Sequence, residues 1–260
     1  MKKIFIVLLM CVMLAALAAC TENTAEISGG ETSDSGLLVM ATNAAFPPYE
    51  FYDGTKVIGI DAEIAALIAK ELGRELEIMD IEFDSIIAAV QAGKADMGMA
   101  GMTVTEDRLK SVNFSTSYAL GVQVVIVKED GPIQSKEDLE DPGGFVIGVQ
   151  ASTTGDLYAT WDIEDEDLGK VDRYNKGADA VLALVTGKVD CVIIDNEPAK
   201  AFVAGNTGLK ILDTEYANED YAICIAKDNT DLLDQVNAAL NKLINDGSVQ
   251  TIIDKYITAK

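Results

Sequence analysis

Eight consecutive residues, Gly101-Met102-Thr103-Val104-Thr105-Glu106-Asp107-Arg108, carry the groups needed to hold a small zwitterion. They follow a mostly apolar run, Ala95 to Ala100, that reads as a buried strand, and they open a short helix. Thr105 suits the N-cap, and Glu106 and Asp107 suit the first turn, where the positive end of the helix dipole favours anions. Arg108 runs against that dipole. Either it pairs locally with Glu106 or Asp107 at the surface, or it serves a ligand. A free carbonyl at a strand end and a threonine hydroxyl offer acceptors to an ammonium group, and a guanidinium offers donors to a carboxylate.

The elements that position this segment recur later in the chain. Ile86-Ile87-Ala88-Ala89-Val90-Gln91-Ala92-Gly93-Lys94-Ala95-Asp96 and Val181-Leu182-Ala183-Leu184-Val185-Thr186-Gly187-Lys188-Val189-Asp190 are each an apolar helix and a Gly-Lys-x-Asp turn leading into a buried strand. Ligands of open α/β sheets bind beyond the carboxyl ends of strands. The first unit runs there into Gly101-Met102-Thr103, the second into Asp195-Asn196. Two sheets facing one another across a cleft would set Asp195 toward an ammonium and Arg108 toward a carboxylate. The alternative for Asp195 is an N-cap on the helix starting near Pro198.

Around these units, short apolar runs alternate with amphipathic stretches, which predicts α/β layers. Strands are expected over Leu37 to Ala41, Glu75 to Met79 and Ala95 to Ala100. Helices are expected over Ala62 to Leu72 and Phe83 to Ala92, closed by Gly73 and Gly93 in the left-handed capping position. Two β-rich runs, Gly121 to Lys128 and Tyr221 to Lys227, bracket the second block and read as crossings that form a hinge. The expected architecture is two similar α/β domains joined by a two-strand hinge, with the ligand in the cleft between them. Residues 37–121 and 221–260 would form domain 1, and 122–220 domain 2.

The start of the chain reads as a leader. Lys2 and Lys3 precede an apolar run from Ile4 to Leu14, and small residues lead to Leu17-Ala18-Ala19-Cys20. The run is short for a membrane span and has signal-peptide flanks. Its end resembles the bacterial lipobox, which implies cleavage after residue 19 and a lipid-modified Cys20. The other reading is an ordinary secretory signal. Several acyl chains would hold the protein firmly where one would not. Thr21 to Gly36 is rich in Ser, Thr, Gly and Glu and reads as a tether, with a reach of roughly 20 to 25 Å.

Composition excludes several classes. The 260 residues carry 20 basic and 43 acidic side chains, a net charge of -23. Loss of Lys2 and Lys3 leaves 18 basic against 43 acidic, or -25. Such a surface repels nucleic acid and anionic lipid. There is no histidine, so neither a Ser-His-Asp triad nor a histidine-ligated metal exists. No metal and no cofactor is implied. Cys191 and Cys224 are the body's thiols, free or paired with each other.

Several segments together resemble the polar amino acid group of ABC-importer binding proteins, many of them lipoproteins. They are ATNAAFPPYEF (41 to 51), GIDAEIAALIAKELG (59 to 73), the run from Phe83 to Tyr118, IGVQASTTG (147 to 155) and GKVDCVIIDN (187 to 196), with the C-terminal helices. The resemblance spans nearly all of residues 37 to 257. It implies a ligand carboxylate gripped by Arg108 with backbone amides near Thr153 and Thr154. It implies an ammonium held by Asp195, the Gly101 carbonyl and the Thr103 hydroxyl, with Met102 between them, and a side chain sandwiched by Phe46 and Phe83. Asn43 and Gln150 match positions that select the ligand side chain. Many relatives for cationic or glutamine ligands carry aspartate where Asn43 stands, so a neutral polar ligand is favoured over a basic one. Glu50 and Glu215 fall in segments that can contribute.

The implied protein is a non-catalytic, monomeric, lipid-anchored receptor outside the cytoplasm. It would deliver a free amino acid to a membrane permease and its ATPase. Two alternatives stand beside it. One is a cyclohexadienyl dehydratase-like enzyme on the same fold, with Glu197 the nearest candidate acid. The other is an amino-acid-sensing module acting through a separate signalling protein.

Overall fold

A computed structural model describes residues 36–140, 144–213 and 215–257. The expected leader, Cys20 and nearly all of the tether lie outside the described residues.

Two mixed sheets with the same strand order build the body. In the first, Glu75–Asp80, Leu37–Thr42 and Met97–Gly98 run parallel, followed by the antiparallel Cys224–Ala226 and then Val112–Phe114. In the second, Gly169–Tyr174, Phe145–Gln150 and Cys191–Asp195 run parallel, followed by the antiparallel Ala119–Lys128 and then Leu209–Ile211. The chain passes from the first sheet to the second between Phe114 and Ala119, and returns between Tyr221 and Cys224. At the crossing, Ala217–Tyr221 lies antiparallel on Ala119–Lys128, with Ala119 opposite Tyr221 and Gln123 opposite Ala217. A residue larger than glycine at 121 would collide with the Tyr221 ring, 2.4 Å from a Cβ there.

Each sheet is covered on both faces. Ile60–Glu71, Thr230–Asn245 and Ser248–Tyr256 pack Ile64, Ile68, Val236, Leu240 and Ile252 against Leu38, Met40 and Met97. On the opposite face, Ile86 and Val90 pack on Ala41, Val112 and Cys224. In the second sheet the period-two alternation of a strand is plain: Val125 and Val127 join one core, Val124 and Ile126 the other.

The recurring Gly-Lys-x-Asp turn does one job twice. Gly93 and Gly187 take positive φ, 66° and 75°, and close their helices. The Asp96 carboxylate then accepts the Val39 N–H at 2.7 Å, while the Asp96 N–H donates to the Val39 carbonyl. Asp190 makes the same two bonds with Val146. Side chain thus replaces backbone at the entry of each third strand. That is why the expected strand Ala95 to Ala100 is a ladder over Met97–Gly98 alone. Gly98 also lies too close to Cys224 and Ile86 for any side chain of its own. The expected helix Phe83 to Ala92 likewise divides into a 3-10 turn, Phe83–Ser85, and an α-helix, Ile86–Gln91. Cys191 and Cys224 are buried free thiols, one in each sheet.

Candidate ligand-binding cleft

The carboxyl ends of both parallel strand sets open on one cavity enclosing about 450 Å³, part of it open to solvent. Arg108, Thr103 and Gly101 reach it from the first sheet, and Asp195, Gln150 and Thr153 from the second.

Thr105 caps the helix Glu106–Ser111, its hydroxyl accepting the Arg108 N–H at 3.2 Å. Arg108 is the one buried residue of that helix. The surface pairing considered for it does not form, because Asp107 takes Lys110. Instead Nη1 donates to the Thr103 carbonyl at 2.8 Å, and Nη2 donates to the Ser152 carbonyl at 2.9 Å. The guanidinium also sits 5.3 Å from the centre of the Phe83 ring, a cation–π contact. Burial lowers its pKa and the Glu219 carboxylate raises it; an arginine stays cationic all the same. Among the described residues no carboxylate forms an ion pair with it, so a buried cation waits without an anion.

Gly101 has φ +52°, strained for any other residue, and a Cβ would stand tightly, 3.0 Å from Phe46 and 3.2 Å from Tyr221. Its N–H donates to Asp61 Oδ2, which also accepts the Tyr118 hydroxyl. Glu50, at the cavity floor, adjoins Asp61. One oxygen of each, Glu50 Oε2 and Asp61 Oδ1, has no donor in the protein. Burial, then Asp61, drives the Glu50 pKa well up, and burial raises Asp61 to about 6. Burial and the neighbouring Asp61 carboxylate thus both favour the neutral form of Glu50.

Asp195 serves two ends at once. Its Oδ1 accepts the Glu197 N–H at 3.1 Å, so it does cap the helix Asn196–Gly205. Its Oδ2 accepts the Tyr221 hydroxyl at 2.7 Å and the Val122 N–H at 2.9 Å. Burial lifts its pKa to about 6, opposed by these three donors. The N-cap alternative is therefore correct without removing Asp195 from the cavity, which it lines.

The remaining expected residues fall into place unevenly. Asn43 donates to the Ile81 carbonyl, and its Oδ1 accepts from Gln150 Nε2 across the cleft at 3.0 Å. Thr153 and Thr154 line the cavity at the start of Thr154–Ala159, where the Thr153 hydroxyl accepts the Asp156 N–H. Phe46 and Phe83 both line it, Phe46 stacked on Tyr49. The Met102 side chain is different: it is fully buried in the core beside Ile86 and Val90, away from the lining. Glu197 points to Lys200 and Glu215 is exposed; neither lines the cavity. Sequence reading missed Gln123 and Tyr221, which do. Gln123 carried a signal, a lone polar residue inside the apolar strand Ala119–Lys128.

Comparison with known proteins adds the following. The family model of bacterial extracellular solute-binding proteins, family 3, matches residues 38–259. The arginine-binding extracellular protein ArtP of Bacillus subtilis is 30% identical over 263 residues, covering 100% of both chains. A solved ancestral arginine-binding protein bound to arginine is 38% identical with a TM-score of 0.79, over 85% of this chain and 98% of its own. An ancestral arginine-binding protein bound to glutamine is 37% identical with a TM-score of 0.80, over 86% and 99%.

Proposed function

This chain belongs to family 3 of the bacterial extracellular solute-binding proteins, and on that footing we propose that it captures a free polar L-amino acid outside the cytoplasm. One observation carries the reading: Arg108 from one sheet and Asp195 from the other line a single buried cavity. The guanidinium, with the amides at Thr153 and Thr154, takes the ligand carboxylate. Asp195, the Gly101 carbonyl and the Thr103 hydroxyl take the ammonium. Both grips are charge-assisted and partly dehydrated, worth about 1.5 to 3 kcal/mol each. Because they come from different sheets, the ligand favours the state in which both reach it.

For the side chain we favour a neutral polar group. Asn43 and Gln150, already bonded to one another, present amides rather than charge, and burial beside Asp61 favours the neutral form of Glu50. A basic ligand is the second reading, supported by relatives named for arginine and by a solved ancestral arginine-binding protein bound to arginine, whereas an ancestral protein of the same name bound to glutamine supports the first. The enzyme reading loses its candidate acid, since Glu197 is bound to Lys200 at the surface side of its helix. Lipid anchoring through Cys20 and delivery to a permease and its ATPase complete the proposal, with the protein acting as a monomer. Native mass spectrometry of freshly purified protein tests it. A co-purified polar amino acid is expected, and a preparation that neither carries nor binds any amino acid would reject the proposal.

A further inference from the structure

Behind the cleft wall stands a carboxylate that none of these roles uses. Glu219 lies on Ala217–Tyr221, opposite Gly121, and is buried without lining the cavity. Its Oε2 accepts the Thr103 hydroxyl at 2.8 Å and Gln123 Nε2 at 3.2 Å. Its Oε1 is buried with no partner. Gln123 Oε1 faces Gly155, so that a Cβ there would stand 3.0 Å from it. The Tyr158 phenol also lies beside Glu219, which together with burial raises its pKa. A buried carboxylate with one oxygen bare is a poor way to stabilise a core. Its Oε2 bonds run to Thr103 and Gln123, two residues of the ligand wall.

A hydroxyl has one hydrogen and two lone pairs. Once Thr103 commits its hydrogen to Glu219, only lone pairs remain for the cavity. The Gly101 carbonyl and Asp195 are acceptors as well, so the three groups assigned to the ammonium all accept. Thr103 meanwhile holds Arg108 through its backbone carbonyl, so one residue registers both ends of the site. We propose that Glu219 is a positioning residue for the ammonium end of the ligand. By taking the Thr103 hydrogen it makes Thr103 an obligate acceptor, which admits an α-ammonium and rejects an acceptor such as a 2-oxo group in its place. This rests on the amino-acid reading of the cleft.

Titration calorimetry on ligand-free protein tests it. The probes are L-glutamine and L-arginine, each paired with its des-amino analogue, glutaramate and 5-guanidinopentanoate, the weaker ligands read by displacement. Glu219→Ala is expected to weaken the amino acid about tenfold or more and the des-amino analogue less than about twofold. Glu219→Gln, whose amide oxygen still accepts the Thr103 hydrogen, is expected to restore most of the affinity. Equal losses for amino acid and analogue, or no loss, would overturn the role. If Glu219→Ala does not fold, Glu219→Met keeps the buried volume and removes the acceptor instead. The loss must again be confined to the amino acid, and equal losses overturn the role. Wild-type protein that binds no amino acid rejects the cleft reading itself. Wild-type binding that Glu219→Ala leaves unchanged rejects only the role of Glu219.

Discussion

Replacing Arg108 by methionine separates ligand binding from folding. Methionine keeps most of the buried volume over Phe83 and removes the charge. Without ligand, the change strands the Thr103 and Ser152 carbonyls, at about 1 kcal/mol each. It also frees the fold from burying a guanidinium that has no ion-pair partner. The two effects oppose one another, so the ligand-free melting temperature is expected to move by only a few degrees. The bound state has no such compensation. Losing a buried, hydrogen-bonded partner of the ligand carboxylate costs about 3 to 5 kcal/mol, or a dissociation constant raised about 10²- to 10³-fold or more. At a ligand concentration about 1,000 times the wild-type dissociation constant, binding stabilises wild type by about 4.1 kcal/mol. For a body of this size that is a rise of about 8 to 16 °C in a thermal-shift assay. At the same concentration Arg108→Met is expected to rise by about 5 °C or less, and by about 1 °C where the loss reaches a thousandfold. A variant that folds and shows the wild-type rise would refute the carboxylate role.

Other consequences are open to direct measurement. Affinity is expected to fall as pH drops through about 6, where Asp195 takes up a proton, by about tenfold at pH 5 against pH 7.5; calorimetry at constant ionic strength reads it, and a flat profile argues against Asp195 as the ammonium partner. Ligand-free stability should run the other way. Asp195 and Asp61 hold their protons to about pH 6 when folded, against 3.8 for an ordinary aspartate, so the stability this contributes is full below about pH 3.8, partly gone at pH 5 and lost as pH rises through 6. A melting temperature that climbs from pH 5 to 7.5 would contradict that. Asn43→Asp adds a charge beside Gln150 and should raise the arginine-to-glutamine affinity ratio about tenfold; an unchanged ratio would remove Asn43 from side-chain selection. Cys20→Ser should move the protein from the membrane fraction to the soluble one, and retention in the membrane would exclude the lipid anchor.

What the sequence showed and what it hid divide along physical lines. The duplicated Gly-Lys-x-Asp turn was visible because its glycines need positive φ and its aspartates replace a backbone acceptor, both local demands. Arg108 stood out because a cation in a first turn is locally unfavourable. Asp195 shows the limit of an either-or reading, since a carboxylate has two oxygens and can cap a helix with one while holding Tyr221 with the other. Met102 was grouped with its neighbours by position, whereas alternation along the chain turns its side chain into the core. Glu219 and Gln123 were hidden for another reason. Thr103 and Gln123 both bond to Glu219, from 116 and 96 residues away in sequence, and only the double crossing between the sheets brings them together.

The central claim is that one cavity holds both ends of an amino acid between Arg108 and Asp195. Protein stripped of ligand by unfolding and refolding can be titrated calorimetrically against a panel of L-amino acids, with each D-enantiomer as control. One or more polar L-amino acids should bind with a stoichiometry of one, and the signal should vanish in Arg108→Met and weaken in Asp195→Asn. Absence of binding across the panel, or binding that both variants retain, would contradict the claim.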